Sequence, residues 1–273
     1  MSVATREPGL DRSDIPPRER RGRAPWMVFG SIVALAAIGF ATLDVVSLLA
    51  HEERDEHTTV PAAAITLVHI DNDDGPVVVE PTEGDSIDLA VHVSDGLQHT
   101  GVSWNVDGST LNVRGTCPNL DVLWCHADVT ITVPRDIAVR VQSGSGPVTI
   151  EGRDGAVDVD ADDGRVELRD VTGPVQVAAD NGRIEGTGLA SLSFHADSDN
   201  GRIELAFVAA PDEVVATSDN GRIDIGVPRG SGPYAVEATS DNGSRTVEVA
   251  TDPTAPRTIT ARTDNGAIRI HEV

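Results

Sequence analysis

The sequence predicts an all-β chain, a single-stranded β-solenoid (β-helix) standing behind one N-terminal transmembrane helix. Three observations predict it. A glycine-marked corner returns at a nearly fixed interval from Gly146 onward, apolar and polar residues alternate on both sides of that corner, and one long uncharged stretch lies near the start of the chain.

Glycines 146, 155, 164, 173 and 182 are nine apart, and those at 201, 221, 243 and 266 follow at intervals of 19, 20, 22 and 23. Most close one phrase: Asp162-Asp163-Gly164, Asp180-Asn181-Gly182, Asp199-Asn200-Gly201, Asp219-Asn220-Gly221, Asp241-Asn242-Gly243 and Asp264-Asn265-Gly266. Asn-Gly tolerates a positive φ and Asp can bond its own downstream backbone, so the phrase reads as a turn. Aligned on the glycine, Val157, Val175, Phe194, Val214, Val236 and Ile259 share one column. Val159, Val177, Ala196, Ala216, Ala238 and Ala261 share the next, and Val166, Ile184, Ile203, Ile223 and Ile268 a third beyond the corner. A period of two means strand, with these residues on one face.

A unit of about twenty residues cannot bury its apolar face alone, so neighbouring coils stack into a thin continuous core. Antiparallel hairpins compete, because Asn-Gly between alternating strands is a strong hairpin signal. Only a stack explains identical residues held in register, and it would bring equivalent asparagines within bonding distance, about 4.8 Å apart. After Gly243 the apolar column holds Arg245. A bulge or a two-residue shift is expected there.

In chain order, residues 1–25 are Arg-rich, poor in apolar residues and broken by Pro8, Pro16 and Pro17, which reads as a disordered cytoplasmic tail. Residues 26–50 carry one charge, Asp44. As a helix they span about 37 Å, enough to cross a bilayer core. Arginines before the span and acids after it place the C-terminal part outside the cell membrane. A cleaved signal peptide is the alternative, although its apolar region is normally shorter and Leu48 stands where a small residue is needed before Ala50. Residues 51–59 read as an acidic juxtamembrane linker. Within it, His51 to His57 superficially resembles a zinc-protease helix, but the fifth position is Asp55 rather than His.

Residues 60–143 alternate without the corner phrase, with candidate strands at 65–70, 77–80, 87–93, 102–106, 111–114, 129–133 and 139–141. They read as the irregular start of the same solenoid, and 144–273 as its regular coils. Cys117 and Cys125 are the only cysteines. On the oxidising side of a membrane they are expected to form a disulfide, which contributes about 2 to 3 kcal/mol in the chain-entropy model.

The formal charge is −23, and residues 58–273 carry nearly all of it. Nucleic acid is therefore excluded as a partner of this region, while cations, cationic peptides and basic protein patches are favoured. Asp158, Asp160, Asp162 and Gly164 superficially resemble an EF-hand loop, but the glycine is one place late and Arg169 stands where the closing Glu belongs. The stacked aspartates Asp180, Asp199, Asp219, Asp241 and Asp264 either hold weak cations or only close their turns, balanced by Arg165, Arg183, Arg202 and Arg222. No Gly-x-Ser-x-Gly elbow is present and no loop is long enough to wall a cleft, so neither catalytic residues, cofactor nor metal is expected. A polysaccharide-active β-helix enzyme remains the less favoured alternative.

The segments 128–134 (Asp-Val-Thr-Ile-Thr-Val-Pro) and 139–150, followed by the iterated Ser-Asp-Asn-Gly-Arg-Ile phrase, resemble the bacterial putative-adhesin family, a domain of unknown function, over residues 60–273. The resemblance implies a β-solenoid on the cell envelope with a proposed adhesion role and no catalytic residues to carry over. The expected function is a membrane-anchored binding, adhesion or scaffold module. Its partner would be an envelope protein or other surface ligand. Partnership in envelope-stress signalling through the short tail is the runner-up.

Overall fold

The computed structural model describes residues 29, 33, 34, 52–95, 101–117 and 125–273. The chain divides into two units, Met1–Val46 and Ser47–Val273. The predicted tail, nearly all of the predicted transmembrane helix and the 118–124 loop lie outside the described residues. Phe29, Val33 and Ala34 are helical, and among the described residues no helix is long and apolar enough to cross a membrane.

Among the described residues, eighteen strands form one open sheet system. They are β1 (Glu52–Pro61), β2 (Leu67–Asp74), β3 (Val77–Thr82), β4 (Ser86–Asp95), β5 (Gly101–Asp107), β6 (Thr110–Thr116), β7 (Cys125–Pro134), β8 (Ala138–Ser145) and β9 (Val148–Glu151). The regular half holds β10 (Val157–Arg169), β11 (Val175–Leu189), β12 (Ser193–Phe207), β13 (Glu213–Asn220), β14 (Ile223–Val227), β15 (Ala235–Asn242), β16 (Arg245–Glu248), β17 (Thr258–Asn265) and β18 (Ile268–Glu272).

The central strands are parallel and in register. Val157 pairs with Val175, Val175 with Phe194 and Phe194 with Val214, while Gly164, Gly182 and Gly201 lie above one another. Each rung therefore lies on the next as the columns require, and separate hairpins are ruled out for this half. Inside the stack the inward columns are buried, from Val68 and Ile70 through Val159 and Ile184 to Ile259 and Ile270. Phe194 and Phe207 meet within the core edge to face at 5.8 Å and 84°. Gly186 stands where neighbouring rungs carry Leu168 and Leu205. A side chain there would press into Leu189, which fills the space across a register shift.

The order of rungs in space differs from their order in sequence at both ends. The 258–272 rung, the last in the chain, lies between the 213–227 rung and the 235–248 rung. At the other end the first rung, β2 and β3, lies between β8/β9 and β6/β7. Arg245 explains the C-terminal exchange. Its charge would be buried between two apolar layers in an inner rung, whereas Ile268 and Ile270 suit that place. The expected bulge at Arg245 is thus corrected. Arg245 pairs squarely with Ile268 and Val247 with Ile270, and the misfit is resolved by placing the whole rung outermost.

The corner also differs from expectation. The strand continues through it in β10, β11 and β12, and Gly182, Gly201, Gly221, Gly243 and Gly266 do not have positive φ. What demands glycine is close approach. A Cβ on Gly201 would lie 1.7 Å from the carbonyl oxygen of Gly182, and one on Gly221 1.5 Å from that of Gly201. Backbone stacked on backbone leaves no room for a methyl group.

The N-terminal end is closed by antiparallel strands: β5 on β6, β4 on β7 and β1 on β4. Of residues 51–59, expected as a solvated linker, 52–59 are thus part of an edge strand that runs on to Pro61. Without them β4 would present a bare edge, and their charged, exposed side chains suit the outermost position.

Candidate binding surfaces

Three surfaces of this scaffold could receive a ligand: the corner ridge, the outer faces of the sheets and the C-terminal end. The ridge is built by the repeated phrase. The side-chain amide of Asn200 donates to Asn181 at 3.1 Å, Asn220 to Asn200 at 3.1 Å, Asn265 to Asn220 at 2.9 Å and Asn242 to Asn265 at 3.1 Å. This continuous ladder follows the spatial order of the rungs. Just inside it, Ser218, Thr263 and Ser240 donate to the glycine carbonyls of Gly201, Gly221 and Gly266.

Beside the ladder stand Asp162, Asp180, Asp199, Asp219, Asp264 and Asp241, all exposed. The expectation that the following arginines balance them is corrected. Arg165 makes no ion pair among the described residues. The other arginines project onto the next face and pair with the acid two residues on or with its neighbour in the stack: Arg202 with Glu204 at 3.1 Å, Arg222 with Asp224 at 2.9 Å, and Arg183 with Glu204 and Glu185. Burial works against ionising Glu204, but hydrogen bonds from Arg183 and Arg202 outweigh it and hold its carboxyl below the usual range. The hydrogen bond to Glu204 likewise raises the pKa of Arg183. The aspartates form neither ion pairs nor Asx-turn hydrogen bonds among the described residues, so the ridge is a line of uncompensated negative charge.

Where β2, β8, β10 and β11 begin lies a shallow groove of about 340 Å³ floored by Leu67, Ala138, Ala156 and Pro174 and rimmed by Arg140, Asp158 and His195. Arg140 and Asp158 are paired at 2.8 Å. Farther along, His69, Asp71, Asn105 and Arg114 surround a more polar depression of about 260 Å³. Among the described residues no cluster of His, Cys, Asp or Glu is arranged to hold a metal ion. Cys117 is disulfide-bonded, and Cys125 is the only other cysteine. Its side chain lies outside the described residues.

Two arrangements were not legible in the sequence. Arg153 is completely buried, and its guanidinium donates to the carbonyls of Val133, Pro134, Glu151 and Gly152 at 2.7 to 3.2 Å. Burial lowers its pKa to about 10. It is a structural plug at a corner where carbonyls converge. His126 lies between Asp74 at 2.9 Å and Asp128 at 3.0 Å, tying two rungs together.

The Toastrack DUF4097 family model matches residues 65–271. No curated protein matches the chain. Among solved structures, a putative adhesin from Bacteroides fragilis aligns with TM-score 0.49 and 15% identity over 81% of this chain and 97% of its own. A putative cell adhesion protein from Clostridium sporogenes aligns at TM-score 0.38 and 9% identity over 81% and 100%. A putative adhesin from Parabacteroides merdae aligns at 0.37 and 15% over 81% and 96%.

Proposed function

The chain belongs to the Toastrack DUF4097 family, and from that premise we propose that it is a non-catalytic binding, adhesion or scaffold module held outside the cell membrane by its own N-terminal helix. The observation that carries this reading is the ridge. A repeated, exposed and uncompensated row of aspartates on a rigid stack is suited to a broad basic partner, such as a cationic patch on an envelope protein. The described surface has shallow depressions rather than a walled cleft, and the charged groups at the rim of its groove, Arg140 and Asp158, pair with each other. Placement outside the membrane accords with the disulfide state of Cys117, and pairing of Cys117 with Cys125 is part of the proposal.

The test uses the full chain. Retention of the chain on immobilised polylysine is expected to fall steeply with salt and to weaken when Asp180, Asp199, Asp219 and Asp264 are all replaced by Asn. Incubation with Ca²⁺ and a panel of envelope polysaccharides is expected to give no turnover. Cleavage of any of them would overturn the non-catalytic reading.

A further inference from the structure

The last rung in space, β15 and β16, is paired on one side only, with β17 and β18. The directions of its open groups can be read off. The N–H of Ala235 donates to the Arg257 carbonyl at 2.8 Å, and Ser244 accepts from Ile268 at 2.9 Å, so these residues face the inner rung. Alternate residues of a strand face opposite edges, which leaves Val236, Ala238 and Ser240 of β15, and Arg245 and Val247 of β16, facing outward. Covering has already begun. Tyr234 donates to Ala250 and accepts from Asp252, both at 3.0 Å, an isolated parallel bridge on the open side that ends where the chain leaves at Pro253. Arg245 bends back and donates to the Ala238 carbonyl at 2.9 Å. Between these two partial caps lies a hollow of about 480 Å³ lined by Val236, Ala238, Val247 and Val249. Val236 is only half-buried here, whereas its equivalents Val175, Phe194, Val214 and Ile259 in the inner rungs are fully covered.

We propose that this end of the stack is a docking edge for an extended segment of a partner protein with alternating apolar and basic residues, which adds as the next rung. The opposite end supports an added strand as occupant, because there the chain covers its own outermost rung with β4 and β5. Main-chain groups of Val236 and Ser240 supply the ladder, and the hollow receives alternate apolar side chains. The outward side chains of β15, Glu237, Thr239 and Asp241, set the charge of the residues between. Asp241 lacks an ion-pair partner among the described residues and terminates the acidic ridge. A second copy of the chain is disfavoured by the same charge, since each copy carries −23. The proposal concerns a different surface from the long ridge and stands apart from what that ridge binds.

The probe is a fluorescein-labelled acetyl-(Lys-Val)₄-amide peptide added to the full chain and followed by anisotropy. Saturable binding is expected, weakened about tenfold by Val247→Asp, with a Glu-Val peptide of equal length failing to bind. Hydrogen exchange is expected to show new protection at the amides of Val236, Ala238 and Ser240. Three results would overturn the proposal: no binding, undiminished binding by the V247D chain with protection along the aspartate ridge instead, or dimerisation of the chain through this edge in sedimentation.

Discussion

The middle rungs and the 235–248 rung are written in nearly the same letters, yet they live in different surroundings. Ser198-Asp199-Asn200-Gly201 and Ser240-Asp241-Asn242-Gly243 both supply a corner and an amide for the ladder, and Ser240 adds a hydroxyl for a glycine carbonyl. What separates them is one residue two places on: Ile203 is completely buried, whereas Arg245 is exposed and arches over the open end. The repeated phrase specifies a rung, and the residues that break it specify where in the stack that rung belongs.

The sharpest way to break this comparison is a methyl group at the corner. Gly201→Ala places a Cβ against backbone on a rung held from both sides, and is expected to cost about 3 kcal/mol or more. Gly243→Ala makes a comparable clash with Gly266, but the outermost rung can tilt away, so about 1 kcal/mol is expected. Urea denaturation of both variants measures the difference, and equal losses would contradict it.

Next come the two unusual arginines. Arg153→Met strands four carbonyls in a buried corner and is expected to cost about 3 kcal/mol. Arg245→Met, at the open end, is expected to stay within about 0.5 kcal/mol, as read by thermal melting.

The ladder gives a smaller contrast. Asn220→Ala removes two amide hydrogen bonds and Asn242→Ala removes one. Losses of about 1 to 2 and about 0.5 to 1 kcal/mol are expected in that order, and a reversed order would place the rungs differently. Smallest of all is a pH effect at the other end. The hydrogen bond to Asp55 raises the His92 pKa above its ordinary value, so protonation favours the paired form. Its contribution to holding β1 on β4 is present in full below about pH 6.5 and is lost as the pH rises through the raised value. Faster hydrogen exchange of β1 amides at pH 8 than at pH 6, after correction for intrinsic rates, with the difference abolished in His92→Gln, is the expected result.

Much of the fold was legible. The columns place Val157, Val175, Phe194, Val214 and Ile259 one above another, and the pairing agrees. The strands expected in residues 60–143 also form, but the antiparallel capping role of β4 and β5 did not follow from alternation, which fixes faces and not partners. The exchange of the last two rungs did leave a mark in the sequence. The glycine intervals widen to 22 and 23 where connection 228–234 must step across a rung and connection 249–257 must lead back to the level that was skipped. A gradual lengthening of coils and a skipped level look alike until the pairing is known. The charge pattern was misread for a simpler reason: Arg183 follows Gly182 in sequence, but the strand's pleat turns it onto the Glu185 and Glu204 face, away from Asp180.

Because the final rung is wedged beneath the one made before it, the C-terminal end cannot mature in step with synthesis. Residues 235–248 have no permanent seat until 258–272 have left the ribosome and slid into place. The two must therefore settle together as one late, cooperative event. A chain cut short by even one coil would lose its proper neighbour for both the 213–227 rung and the 235–248 rung, so residues 258–272 act as the keystone of the assembly.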